Sequence, residues 1–199
     1  MRIAFVVYDG FNELDVFASL HFLGRAQRVI GESVSVELIS SAPTIRSMYG
    51  IEIGGCRPLA AISSAAAVVV GSGNTLRALD DTAFMSGLQL EPAHQLIGAQ
   101  CAGALVLAKL GLLQAQPACS DLRTRERLEA AGVTVLDRPF HARGDVATAG
   151  GCLAAPYLAA WLLWRLLGRG VAERTLASVA PVGEPDYVAR IIGTIAEFV

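Results

Sequence analysis

The sequence predicts one α/β domain over residues 1–199, built on a mostly parallel sheet with helices on both faces. Three observations carry this. Short unbroken apolar runs of β-branched residues end in Gly-bearing turns, as strands buried on both faces do. Segments of helical spacing alternate with those runs. Hydrophobic residues make up 53% of the chain and charged residues 17%, which supplies a core on either side of a sheet and excludes a disordered composition.

The elements follow in order. Residues 3–8 form an apolar run closed by Asp9-Gly10, a first buried strand. From 13 to 26, Leu14, Phe17, Ala18 and Leu20 recur at helical spacing. Residues 34–39 alternate toward a second strand, and 45–53 make a hairpin arm around Tyr49-Gly50. Residues 65–70 are the next strong strand, ended by Gly71-Ser72-Gly73, and 75–93 are helical in patches. A short strand at 96–99 leads into a helix over 102–113 that stops after Gly111. A helix over 123–131 precedes a strand at 133–136, residues 138–144 form a loop, and 146–149 form a last short strand. Gly150-Gly151 then turns the chain into a long apolar helix over 153–167.

Charge and cysteine usage narrow the partners. Sixteen basic residues face eighteen acidic ones, for a net charge of −2, with no basic cluster that would mark a nucleic-acid surface. The apolar stretch 149–164 is short of a membrane span, contains Pro156 and runs into Arg165, so it reads as a core helix. The N-terminal run reaches Asp9 too soon for a signal peptide, which places the protein in the cytoplasm with free thiols. Cys56, Cys101, Cys119 and Cys152 form no C-x-x-C pair and no Cys/His ligand spacing, so neither a metal nor a cofactor is expected.

Chemistry is expected at the carboxyl ends of the strands, where open parallel sheets bind ligands. Three strand ends carry polar or reactive residues: Asp9 to Asp15, Gly71 to Asn74, and Gln100-Cys101-Ala102-Gly103. The third has the layout of a nucleophile elbow, in which small residues turn the chain tightly and leave Cys101 above the sheet. The helix start behind it predicts a thiol pKa below the ~8.5 of a free cysteine. The competing reading is a buried core cysteine before a tight turn. His21, His94 and His141 are all distant in sequence, so no Cys-His pair is assigned. Glu13 and Asp15 follow a neighbouring strand end, where helix capping is the competing role.

Taken together, the windows D-G-F-N-E-L-D, V-V-V-G-S-G-N, A-Q-C-A-G-A-L-V-L-A-K-L-G-L-L and T-A-G-G resemble the DJ-1/PfpI (ThiJ/PfpI) family over nearly the whole chain, and the first window looks most like its isonitrile hydratase branch. The resemblance implies a flavodoxin-like sandwich and a homodimer. It implies Cys101 as nucleophile, Asp15 as the acidic residue bonded to it with Glu13 as the fallback, and the backbone N–H groups of Gly73 and Ala102 as the oxyanion site. Residue 102 is alanine, where protease-like members carry histidine and the hydratases threonine, which argues against a peptidase. Around residues 118–122 the hydratases show a T-T-H-W-like window where this chain reads A-C-S-D-L, so the third polar group is either missing or replaced by Asp121. The C-terminal residues 188–199 also lack a proline-rich ending.

The expected activity is therefore cysteine-dependent hydration of a small electrophile of the isonitrile type, with Asp15 as general acid/base. The alternatives are glyoxalase-like action on 2-oxoaldehydes and a non-enzymatic sensor in which Cys101 is oxidised to sulfinic acid. The ligand-binding half of a transcription regulator is disfavoured, because the chain ends at Val199 without a helix-turn-helix. The expected partners are a small-molecule substrate and a second copy of the chain, which buries part of the first helix around Phe17, Leu20, Phe22 and Leu23.

Overall fold

The structure is a computed structural model that describes residues 1–31 and 34–199. Strand β1 (Arg2–Val6) leads into helix α1 (Glu13–Ile30), then β2 (Ser35–Ser40), the hairpin β3 (Thr44–Arg46) and β4 (Glu52–Gly54), and the edge strand β5 (Arg57–Pro58). Strand β6 (Ala67–Val70) is followed by the short helices α2 (Thr75–Asp80) and α3 (Thr82–Gly87). Next come β7 (Leu96–Gln100), α4 (Ala104–Lys109), α5 (Arg125–Ala130), β8 (Phe140–Arg143) and β9 (Val146–Ala149). Helices α6 (Ala155–Leu167), α7 (Arg169–Ala177) and α8 (Tyr187–Ile195) complete the chain.

Seven strands form one sheet in the order β5-β2-β1-β6-β7-β9-β8, parallel throughout except for the β8–β9 pair. The five inner strands follow the flavodoxin-like order, in which the chain first builds to one side of β1 and then to the other. Residues of β1 show how the sheet separates two cores. Ile3 and Phe5 face the cluster under α1, α6, α7 and α8, while Ala4 and Val6 face the cluster under α2 to α5. That alternation is the period of two of an extended chain, buried here on both sides. Helix α6 is buried along most of its length, with Trp161 fully enclosed and its indole N–H donating to the Phe198 carbonyl at 3.0 Å. Among the described residues, no helix is long and apolar enough to cross a membrane.

Several local expectations change. Residues 133–136 do not form a strand; a single bridge joins Val135 to Ala118. The edge strand is instead β8, within the expected loop. Phe140 and Ala142 point inward while His141 and Arg143 do not, and two inward apolar residues are a weak signal. The helix expected over 102–113 is a single tight turn, Cys101–Gly103, followed by the six residues of α4. Helices α7 and α8 extend the cover beyond 167, α8 by burying Ile191, Ile192 and Ile195.

Candidate active site

The carboxyl ends of β1, β6, β7 and β9 converge on one cavity of about 970 Å³. Cys101 leaves β7 with φ +54°, a left-handed conformation that few non-glycine residues adopt and that a nucleophile elbow imposes. Gly103 permits the turn: a Cβ there would meet the Val70 carbonyl oxygen at 2.5 Å. Gly73 is equally confined, since a Cβ would meet the Gly10 carbonyl oxygen at 2.3 Å. Gly73 bridges to Phe11 through bonds donated by Asn12 and Asn74, so its own N–H stays outside that ladder. The Ala102 N–H lies in the first turn after the elbow, where helical amides have no intrahelical partner. Gly73, Ala102 and Cys101 all line the cavity.

Two carboxylates lie close to the sulfur. Asp15 is fully buried at the start of α1, whose N-cap Asn12 accepts from the N–H groups of Leu14 and Asp15. One oxygen of Asp15 accepts the Ser72 hydroxyl, and the buried carboxyl also meets the Cys152 and Cys101 thiols. Burial raises the Asp15 pKa, opposed by the hydrogen bond from Ser72. Asp121 lines the cavity and accepts the Cys101 thiol at 3.3 Å. It also accepts from the Thr124 hydroxyl at 2.6 Å and from the Arg123 N–H at 2.9 Å. Burial alone would raise the Asp121 pKa, but the hydrogen bonds led by Thr124 and Cys101 outweigh it and hold the carboxyl below its ordinary value. Glu13 points elsewhere: it accepts the Tyr49 N–H at 2.9 Å and ties α1 to the β3–β4 hairpin.

The Cys101 thiol runs against the sequence expectation of easy ionisation. Burial, then the charges of Asp15 and Asp121, push its pKa up. The helix behind it is a single tight turn plus six residues, and two carboxylates outweigh so short a dipole. Cys152, which sequence spacing leaves among small residues, stands in the same cavity. Its sulfur, the Cys101 sulfur and an Asp15 oxygen all lie within 4.8 Å of one another, a donor set that could also hold a cation. The available signal was its position just after the strand at 146–149, a fourth strand end beside the elbow. None of His21, His94 and His141 lines the cavity. His141 packs edge-on against Phe198 on β8, with its pKa lowered by burial.

Comparison with known proteins agrees with this fold. The family model described as DJ-1/PfpI family matches residues 1–164. No curated protein sequence matches the chain. Among solved structures, Schizosaccharomyces pombe DJ-1 is similar at 18% identity and TM-score 0.76, over 91% of this chain and 100% of that one. A THiJ/PfpI family protein from Pseudomonas syringae is similar at 19% identity and TM-score 0.78, over 99% of this chain and 86% of that one. An AraC family transcriptional regulator from Pseudomonas putida is similar at 22% identity and TM-score 0.73, over 90% of this chain and 99% of that one. With a mostly parallel flavodoxin-like sheet, a cysteine on a left-handed elbow and a family match across most of its length, the chain belongs to the DJ-1/PfpI family.

Proposed function

We propose that the protein is a cysteine-dependent enzyme that hydrates a small electrophile of the isonitrile class to the N-substituted formamide. The observation that carries this reading is one sulfur with two carboxylates close to it, Asp121 lining the cavity and Asp15 fully buried. The opposite pKa directions of Asp121 and Asp15 divide the proton work between them. Asp121, the more readily ionised, takes the thiol proton as the sulfur of Cys101 adds to the terminal isonitrile carbon. Asp15, which keeps its proton to higher pH, delivers it to that carbon and gives a thioimidate. Water then adds to the thioimidate carbon, returning a proton to Asp15 while Asp121 protonates the nitrogen. Collapse expels the sulfur, which recovers the hydroxyl proton as a thiol and frees the formamide. The N–H groups of Gly73 and Ala102 steady the oxygen as it forms.

The working unit of this reading is a two-fold homodimer. Leu14 and Phe17 lie on the outer face of α1 at 47% and 40% exposure, next to the exposed Met48, Tyr49 and Ile51 of the hairpin. Leu20, Phe22 and Leu23 pack on the chain's own core instead, so the self-association surface is narrower than the whole helix. The test is turnover by the wild type, Cys101→Ser and Asp121→Asn on a panel of alkyl isonitriles and 2-oxoaldehydes. Formamide production lost in Cys101→Ser supports the hydratase reading. Turnover of 2-oxoaldehydes alone moves the assignment to glyoxalase-like chemistry, and no turnover of either class moves it to a sensor.

A further inference from the structure

Cys152 has no part in the hydration steps above, yet the fold holds it firmly against Cys101. Strands β7 and β9 run parallel in register, Gln100 opposite Ala149, so the segments leaving them start side by side. Neighbouring strands lie about 4.8 Å apart, so the two turns that carry Cys101 and Cys152 begin that close together. The fully buried Gln100, one residue before Cys101, donates its side-chain amide to the carbonyls of Gly151 at 2.6 Å and Cys152 at 3.3 Å. The Asn12 side-chain amide donates to the Cys152 sulfur at 3.7 Å. The two sulfurs lie within 4.8 Å, and both residues line the open cavity.

We infer that Cys152 is a resolving thiol for Cys101, and that the chain reduces hydroperoxides through a reversible Cys101–Cys152 disulfide. This rests on the reading of Cys101 as the reactive nucleophile. In the first step the Cys101 thiol gives its proton to Asp121, and the sulfur attacks one peroxide oxygen. The O–O bond breaks, the alcohol or water leaves with that proton, and Cys101 becomes a sulfenic acid, oxidised by two electrons as the peroxide is reduced. In the second step the Cys152 sulfur attacks the Cys101 sulfur; the S–S bond forms, the S–O bond breaks, and hydroxide leaves with the Cys152 proton as water. A small dithiol reduces the disulfide, returning both thiols and becoming a disulfide itself. A resolving thiol this near diverts the sulfenic acid before a second peroxide can carry it to sulfinic acid.

Hydrogen peroxide treatment of the full chain, followed by peptide mass mapping, tests this on the wild type without any substitution. The expected product is a Cys101–Cys152 cross-linked peptide lighter by two hydrogens, with both thiols recovered after dithiothreitol. Cys152→Ser is expected to lose that recovery and to gain two oxygens on Cys101, whereas Cys56→Ser behaves as wild type. Wild-type Cys101 found as sulfinic acid beside a free Cys152 thiol overturns the pairing and leaves the nucleophile standing. Cys101 unmodified while another cysteine oxidises overturns both.

Discussion

Asp15 accepts the hydroxyl of Ser72, a donor 57 residues away in sequence, and the same buried carboxyl lies beside the thiols of Cys152 and Cys101. A carboxyl held this way is easier to keep neutral than charged. The segment following β1 and the segment following β6 therefore meet through a group whose charge the fold resists.

That resistance predicts a pH signature in stability. The folded-state pKa of Asp15 lies above its unfolded value, with burial as the main cause. Its stabilising contribution is complete below the ordinary aspartate pKa of about 3.9 and is lost as pH rises through the raised folded value. Asp15→Asn lacks this titration. Urea unfolding of the two proteins across pH should show the wild type losing ground to Asp15→Asn as pH climbs from the ordinary value. Parallel curves would refute it.

Ionisation of Cys101 should be held back by the carboxylate in the cavity wall. Asp121 is charged under ordinary conditions, and a negative charge beside a thiol disfavours the thiolate. Asp121→Asn should therefore alkylate faster with iodoacetamide at neutral pH, by about tenfold for each unit that the thiol pKa falls. Rates read across pH by mass spectrometry of the Cys101 peptide check this, and an unchanged or slower variant counts against it.

The elbow itself should tolerate no side chain at Gly103. A Cβ at 2.5 Å from the Val70 carbonyl and 2.8 Å from that of Gly71 meets backbone, which cannot rotate away. Gly103→Ala is expected to cost about 1–3 kcal/mol, the range for overpacking a dense interior. The midpoint of chemical denaturation measures it; wild-type stability would show that the strand ends can separate.

Self-association should depend on the outer face of α1. Sedimentation equilibrium at micromolar concentration is expected to give twice the chain mass of 20.9 kDa, and Phe17→Glu to return it to one. A wild type that sediments as a single chain ends the dimer reading.

What can be read from the sequence is what short-range patterning encodes. The Cys101 elbow is legible because an apolar strand, one polar residue and small residues sit next to each other. The two-faced burial of β1 is legible in residues 3–8 for the same reason. Asp121 can be picked out only as a replacement for a missing polar group; its bond to the thiol depends on where a loop folds back across the cavity. Cys152 is invisible as a partner because it meets Cys101 through the β7–β9 pairing, which no local pattern announces. The β8 hairpin is missed because antiparallel edge strands need few apolar residues, and Ser72 reads as part of a glycine turn until Asp15 is placed beneath it.

The position of Asp121 has a consequence for how recognition and reactivity relate. The stretch from Ser120 to Arg127 supplies much of the cavity wall, and the same stretch carries the carboxylate bonded to the Cys101 sulfur. Asp121 is fixed to its own loop by Thr124 and Arg123, so it travels with the wall rather than with the sheet. A guest that pushes this wall outward lengthens the 3.3 Å bond and carries the proton acceptor away from the thiol. Only a guest that fits without displacing the wall keeps the sulfur and its base together. Redesign of the wall for a new guest would retune the sulfur at the same time.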